Sequence, residues 1–173
     1  INNSGGPPIG TFMEHDESVW QAAFDQHLMA AVRLMQTFTP AMVERAWGRF
    51  INISSTVAEE PSSVMSLSAT MRSGVAALSK SASLTLAESG VTFNTICPGG
   101  VLTDRLKGLM EEGSKNKGIS VQEMLDEAQK SIPMNRFASP QEIADLVVFL
   151  CSMRANYITG RVHSIDGGLT ASF

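Results

Sequence analysis

The feature of this sequence that most constrains its fold is a regular alternation of strand-like and helix-like segments. The strand-like segments lie at 50–53, 91–97 and 161–166, and a helical pattern separates each from the next. The connections are too long for hairpins, so the strands are predicted to run parallel with right-handed helical crossovers. The alternation therefore predicts an open α/β sheet.

Two long helices are predicted around the first of these strands, over residues 16–39 and 66–89. Apolar side chains recur at spacings of three and four in both, and Asp16 has the type and position of an N-cap. Pro40 is expected to bend or break the first helix. Gly90 stands at the usual place for a left-handed cap of the second.

Composition limits the classes of function. The chain has 173 residues, 43% of them hydrophobic and 17% charged, which suits one globular domain over residues 1–173. The net charge of −4 and the lack of a basic patch argue against nucleic acid as a partner. Because no apolar run reaches membrane-spanning length and no signal peptide is visible, we expect no membrane partner and a cytoplasmic location. Cys97 and Cys151 are then expected to be buried thiols.

The predicted sheet also locates a ligand site, because ligands of such sheets bind at the carboxyl ends of the strands. These ends carry small or polar residues: Ser4-Gly5, Ser54-Ser55, Pro98-Gly99 and Asp166-Gly167. Residues 104–132 are richer in charge and glycine and are predicted to form two short helices over the surface. Capping boxes at Ser120 and Glu123, and at Ser139 and Glu142, mark two further helix starts.

Five motifs in the right order resemble the short-chain dehydrogenase/reductase family. NNSGG at 2–6 resembles its Asn-Asn-Ala-Gly motif, and WGRFINISS at 47–55 resembles the strand with the catalytic serine. VTFNTICPGGVLT at 91–103 resembles the next strand with its Pro-Gly-x-x-x-Thr motif. RFASPQEIADLVVFLCS at 136–152 and YITGRVHSIDGG at 157–168 resemble the last helix and strand.

This resemblance implies a Rossmann-like doubly wound parallel sheet, of which the chain carries the C-terminal part, and NAD or NADP as cofactor. No Gly-rich phosphate loop occurs in the sequence, so the first strands and that loop are expected upstream of Ile1. Two interpretations stay open. The upstream part belongs to a longer or partly ordered protein, or the protein does not bind NAD(P) in the usual way.

The centre of the site departs from the family pattern. Family members reduce a carbonyl with a tyrosine proton donor, assisted by lysine, serine and asparagine. Counting from Ser55, the tyrosine position holds Ser68 and the lysine position holds Arg72, while the asparagine position aligns with His27. Only Ser55 is kept of the four, so the resemblance implies an atypical active site.

These substitutions change the available proton chemistry. A serine hydroxyl such as that of Ser68 is a poor proton donor, and Arg72 stays protonated, although it can hold a ribose hydroxyl or an anionic group. His27 is the remaining candidate acid or base. Structural interpretations stay open beside these: His27 packs on an apolar helix face, Ser68 starts a helix, Arg72 pairs with a carboxylate, and Ser55 forms a turn.

The resemblance assigns cofactor contacts to Asn3, Gly5, Pro98, Gly99 and Thr103, although Thr103 also suits a helix cap. It implies that 104–132 covers the substrate and that helices 16–39 and 66–89 form a homodimer or homotetramer. Two functions follow as hypotheses. One is an NAD(P)-dependent oxidoreductase for a small carbonyl or alcohol. The other is a catalytically silent relative that binds a nucleotide or a partner as a structural or regulatory subunit.

Overall fold

The computed structural model describes residues 1–171 and contains a three-stranded parallel sheet in the order β1-β2-β3. Strand β1 is Gly48–Ile53, β2 is Val91–Pro98 and β3 is Val162–Ile165. The predicted parallel α/β sheet is confirmed, and each strand begins and ends within two residues of its predicted bounds.

The burial of the strands follows their positions in the sheet. Central strand β2 is buried along its length from Val91 to Cys97, as expected for a strand covered on both faces. Its Asn94 is fully buried, and its side chain donates to the Ile158 carbonyl oxygen at 2.9 Å. In β3, by contrast, exposed and half-buried residues alternate, which fits an edge strand.

One continuous helical segment precedes β1 and consists of helix α1 (Glu17–Ala23), a π-helical stretch (Phe24–Met29) and helix α2 (Ala30–Glu44). Asp16 caps α1 as predicted, since its carboxylate accepts from the Val19 amide at 3.1 Å. The spacing of apolar residues does not distinguish the π-helical stretch from an α-helix, so this stretch was not predicted.

Of the two outcomes expected at Pro40, a bend or a break, the break is wrong, because α2 continues through Pro40 to Glu44. Both sides of the proline are anchored to the same apolar cluster. Met35 before it and Met42 after it pack in the cluster that contains Phe50 of β1. This packing outweighs the loss of one backbone donor at the proline.

Four helices follow: α3 (Ser66–Thr85), α4 (Asp104–Lys117), α5 (Val121–Lys130) and α6 (Pro140–Cys151). Both predicted capping boxes form, at Ser120 with Glu123 and at Ser139 with Glu142. Helices α4 and α5 confirm the two short helices predicted for 104–132.

The role predicted for Gly90 is wrong in part. Helix α3 ends at Thr85, five residues earlier, so Gly90 does not cap it. Gly90 does have a left-handed backbone, with φ of +77°, and a Cβ there would overlap with the Ala46 carbonyl oxygen. The glycine is therefore needed for a close approach between the loop before β1 and the loop before β2.

Helices cover both faces of the sheet. Ile51 and Ile96 pack on one face against Ile143 and Leu150 of α6. Phe50 and Phe93 point to the other face, as the two-residue period of a strand requires, and pack with residues of α2 and α3. Both cysteines are free thiols, with Cys97 buried and Cys151 half-buried.

None of the helices within residues 1–171 combines the length and the apolarity needed to cross a bilayer. Over the same residues, no group of three or more His, Cys, Asp or Glu side chains is arranged to hold a metal ion.

Candidate active site

A cleft of about 220 Å³ opens at the carboxyl ends of β1 and β2, between the strand ends, the start of α3 and the start of α4. Six of the nine residues predicted for the site line it: Ser55, Ser68, Arg72, Pro98, Gly99 and Thr103. His27, Asn3 and Gly5 are not among the residues that line this cleft. The structure thus brings most of the predicted site together at the expected edge of the sheet.

Ser55 follows β1 with an extended backbone and is the N-cap of a short 3-10 helix, Thr56–Ala58. Its hydroxyl oxygen accepts from the Val57 amide over a long 3.5 Å. Because the hydroxyl is the acceptor in this bond, its O–H remains available to donate to a molecule in the cleft. Ser55 therefore serves both as a turn residue and as a lining donor.

Arg72 is bound on every nitrogen of its guanidinium group. Its Nε donates to Ser68 Oγ at 3.0 Å, Nη1 donates to the Ile53 carbonyl oxygen at 3.3 Å, and Nη2 donates to the Gly5 carbonyl oxygen at 2.6 Å. Arg72 thus ties the first turns of α3 to the end of β1 and to the loop 4–6. No carboxylate of residues 1–171 forms an ion pair with it.

His27 lies in the π-helical stretch, and its side chain is buried behind the cleft. The Ser4 hydroxyl oxygen lies 2.8 Å from His27 Nδ1, while Nε2 has no hydrogen-bond partner among the described residues. Burial, followed by the positive charges of Arg72 and Arg105, lowers the pKa of His27. The imidazole is therefore neutral at neutral pH.

A buried chain of amides supports the loop before α1. Asn2 Nδ2 donates to Asn52 Oδ1 at 2.8 Å, and Asn52 Nδ2 donates to Ser79 Oγ at 2.7 Å. Asn3 is exposed and turns back on the chain, with Oδ1 accepting from the Gly5 amide at 3.3 Å. Sequence reasoning did not find the Asn2–Asn52–Ser79 chain, although an asparagine within an apolar strand was a usable signal.

The other side of the cleft is built by the loop that follows β2. A Cβ on Gly99 would lie 2.8 Å from the Asp166 Cα, so this glycine allows the close approach of the loop after β3. Thr103 is the N-cap of α4, and its hydroxyl oxygen accepts from the Leu106 amide at 3.3 Å. Thr103 therefore caps a helix and lines the cleft at the same time.

Arg105 is a lining residue that sequence reasoning missed. It lies in the first turn of α4, and its Nη2 donates to the Pro7 carbonyl oxygen at 3.3 Å. The guanidinium packs so closely on Gly6 that a Cβ there would lie 2.6 Å from Nη2. The only sequence signal was a cation two positions after Thr103.

The chemistry that this cleft can perform follows from its lining. It presents the hydroxyls of Ser55, Ser68 and Thr103 and the guanidinium groups of Arg72 and Arg105. Among the described residues that line it, no side chain titrates near neutral pH. The cleft is therefore suited to binding and polarising an oxygen atom rather than to exchanging a proton through a side chain.

Comparison with known proteins gives matches over nearly the whole chain. A family model described as enoyl-(acyl carrier protein) reductase matches residues 1–170. The D-beta-hydroxybutyrate dehydrogenase of Rhizobium meliloti is 31% identical over 172 residues, which are 99% of this chain and 67% of that protein. The NADPH-dependent reductase BacG of Bacillus subtilis is 34% identical over 168 residues, 97% of this chain and 65% of that protein.

Solved structures give the same result. The L-sorbose reductase of Gluconobacter frateurii, in complex with NADPH and L-sorbose, superposes with a TM-score of 0.93 at 32% identity. That match covers 99% of this chain and 66% of the other, so this chain spans about two thirds of the length of its relatives. With the Rossmann-like sheet and the cleft at its strand ends, these matches show that the chain belongs to the short-chain dehydrogenase/reductase family.

Proposed function

We propose that the protein is an NAD(P)-dependent oxidoreductase that acts on a small carbonyl or alcohol substrate with atypical catalytic residues. The observation that carries this proposal is the cleft itself, in which Ser55, Ser68, Arg72 and Thr103 meet at the strand ends. The relatives named for dehydrogenase or reductase activity support the same reaction class.

The residues present fit one end of a dinucleotide. Pro98, Gly99 and Thr103 form a wall of small side chains with one hydroxyl, which suits the flat, polar nicotinamide ring. Gly5 accepts from Arg72 through its carbonyl oxygen, and Asn3 accepts from the Gly5 amide, so both lie next to the Arg72 side of the cleft. The sequence contains no Gly-rich loop for the phosphates, so these residues would hold only the nicotinamide side. When bound, the reduced cofactor supplies a hydride.

The roles of the remaining residues follow from their contacts. The Ser55 hydroxyl donates to the substrate carbonyl oxygen, because within residues 1–171 its oxygen only accepts, from the Val57 amide, and its O–H is not engaged. The cation of Arg72 stabilises the negative charge that develops on that oxygen while it holds the loop 4–6 in place. Ser68 orients Arg72 by accepting from its Nε. In these assignments the substrate carbonyl oxygen has binding groups around it, but no tyrosine donates a proton to it.

The proton that completes the alcohol comes from water in the cleft, since the lining offers no group that titrates near neutrality. His27 is the second candidate donor. It lies behind the lining and contacts Ser4, and its lowered pKa makes it a weak proton carrier at neutral pH. We therefore give His27 a supporting role behind the loop 4–6.

Helix α4 supports the assignment of 104–132 as a substrate cover, because Arg105, Leu106 and Leu109 line the cleft. We further propose a homodimer or homotetramer through helices 16–39 and 66–89. Large apolar side chains are exposed on both helices, among them Phe38 and Leu84. A cytoplasmic location belongs to the same proposal.

Calorimetric titration of the full-length protein with NADH and with NADPH tests the proposed function. We expect heat of binding with at least one of the two. Absence of binding to both would refute the oxidoreductase, because the reaction has no other hydride source in this family.

A second candidate function is a catalytically silent subunit that binds a nucleotide or a protein partner. The observation that favours it is the replacement of the tyrosine and lysine by Ser68 and Arg72, which bind each other and the backbone. Cofactor binding without oxidation of NADH or NADPH by any carbonyl compound would support this alternative.

A further inference from the structure

We propose that the substrate carries a carboxylate close to its carbonyl group and that Arg105 binds this carboxylate. The proposal rests on the proposed function, which it deepens by naming the substrate class. It is carried by the distribution of charge along the cleft and by the free donors of Arg105.

The cleft at the strand ends holds an excess of positive charge. Arg72 and Arg105 both line it, and its lining contains no aspartate or glutamate. The ion pairs formed by residues 1–171 include neither arginine. Two guanidinium groups that share a small cleft repel each other, and an anion between them relieves that repulsion.

The two arginines differ in what they can offer. Arg72 donates from all three nitrogens to protein acceptors. Within the described chain, Arg105 makes one hydrogen bond, the long one from Nη2 to the Pro7 carbonyl oxygen. Its other donors are available and its side chain is exposed, so Arg105 can present a guanidinium edge to a carboxylate. The same group lies close against Gly6, where the absence of a Cβ leaves room for it.

The neighbouring outer cleft limits where the anion can lie. This cleft of about 680 Å³ shares Gly6, Arg105 and Leu109 with the inner one. Its lining includes Glu14 and Glu112, whose carboxylates disfavour a second anion there. The anionic group is therefore expected on the inner side of Arg105, within the small cleft that Ser55 also lines.

The size of the inner cleft narrows the substrate further. About 220 Å³ accommodates a short chain with a carbonyl group and a carboxylate, and both groups must lie in the same small space. Ser55 takes the carbonyl oxygen and Arg105 takes the carboxylate. This arrangement describes a short oxo acid in the reductive direction, or the matching hydroxy acid in the oxidative direction.

The test uses three pairs of compounds that differ in charge but hardly in shape: pyruvate and pyruvamide, acetoacetate and acetoacetamide, levulinate and levulinamide. Calorimetry measures their binding to the full-length protein without reduced cofactor, and NAD(P)H oxidation measures kcat/KM. The variants are Arg105→Met, Arg105→Lys and, as a control for net charge, Lys107→Met. Lys107 lies on the same helix but pairs with Asp104 outside the cleft lining.

We expect at least one acid to bind roughly tenfold or more tightly than its amide. Arg105→Met should weaken the binding of that acid by about 10- to 100-fold and leave the amide unchanged, while Arg105→Lys keeps part of the preference. Lys107→Met should change neither the binding of the acid nor the binding of the amide. This result supports the proposal even where no turnover is seen, in which case only the oxidoreductase proposal fails.

Three results would overturn the inference. In the first, no acid binds better than its amide, or none of the six compounds binds. In the second, Arg105→Met leaves the preference for the acid unchanged, although carbonyl reduction proceeds. In the third, Arg105→Met weakens binding of NADPH alone and keeps the preference for the acid. Arg105 then contacts a cofactor phosphate.

Discussion

The two walls of the cleft are held in place by different kinds of interaction. The strand wall, formed by Ser55, Pro98, Gly99 and Thr103, keeps the residue types of the family motifs. It is shaped by backbone: a strand end, a glycine that lets two loops approach, and two N-caps. These features demand particular residue types for geometric reasons, whatever chemistry takes place beside them.

The helix wall consists of Ser68 and Arg72, and the buried His27 is grouped with it as the third residue that the resemblance assigns to a changed position. Its side chains form bonds within the protein: Arg72 to Ser68, Ile53 and Gly5, and His27 to Ser4. Two of these side chains hold the loop 4–6 in place, Arg72 through the Gly5 carbonyl oxygen and His27 through the Ser4 hydroxyl. The comparison teaches that side-chain bonds hold the helix wall, whereas backbone geometry shapes the strand wall.

The strongest test of this difference is Arg72→Met. It removes the donor of three hydrogen bonds and leaves two backbone carbonyl oxygens without their partner. Hydrogen bonds to charged groups contribute about 1.5–3 kcal/mol each and are not additive, so we expect the free energy of unfolding to fall by roughly 2–4 kcal/mol. Urea denaturation measures the change.

Arg105→Met is the matched control, because it removes the same charge from the same cleft. Arg105 makes one long hydrogen bond and is exposed, so we expect a loss of less than about 1 kcal/mol. Equal losses in the two variants would show that Arg72 has no special structural role.

The second comparison sets Ser55→Ala against Ser68→Ala. Ser55 is proposed to donate to the carbonyl oxygen, so its loss should lower kcat/KM by roughly 100-fold. Ser68 accepts from Arg72 and is buried, so its replacement should change kcat/KM much less and stability more. The measurement is NAD(P)H oxidation with any carbonyl substrate that is reduced. A larger loss of activity in Ser68→Ala would reverse the roles of the two serines.

A smaller effect is expected from Thr103→Val in the strand wall. The substitution keeps the shape of the side chain and removes the oxygen that accepts from the Leu106 amide. The loss of an N-cap should lower the free energy of unfolding by about 1 kcal/mol, and Thr103→Ser should restore most of it. If Thr103→Val and Thr103→Ser are equally stable, the cap contributes nothing.

The sequence predicts the fold well because its signals are local and repeated. Strand bounds, the cap at Asp16 and both capping boxes follow from residue type and spacing, and all are present. The errors at Pro40 and Gly90 arise where tertiary contacts decide. The helix passes Pro40 because Met35 and Met42 share one cluster, and Gly90 serves an approach to a distant loop.

The site was predictable only to the extent that strand ends define it. Counting from Ser55 indicates which residues meet, since parallel strands end at one edge of the sheet. It does not indicate that Arg72 bonds to Gly5 or that His27 bonds to Ser4, because these partners lie 67 and 23 positions apart. Arg105 was missed for the same reason: its neighbours Gly6 and Pro7 come from near the start of the sequence, and Pro7 lies 98 positions away.

The smallest expected effect concerns pH and the buried histidine of the helix wall. The pKa of His27 is lowered in the folded protein, chiefly by burial, so the unfolded chain binds more protons at mildly acidic pH. The stability linked to neutral His27 is complete above the ordinary pKa of about 6.5 and is lost as the pH falls below it. The free energy of unfolding should therefore fall less between about pH 7 and pH 5 in His27→Asn than in the wild type.

His163→Asn is the matched control, because burial and Arg161 also lower the pKa of His163, which lies in β3. Identical slopes in the wild type and His27→Asn would mean that His27 takes up its proton as readily in the folded protein as in the unfolded chain, and the helix wall would then be open to water.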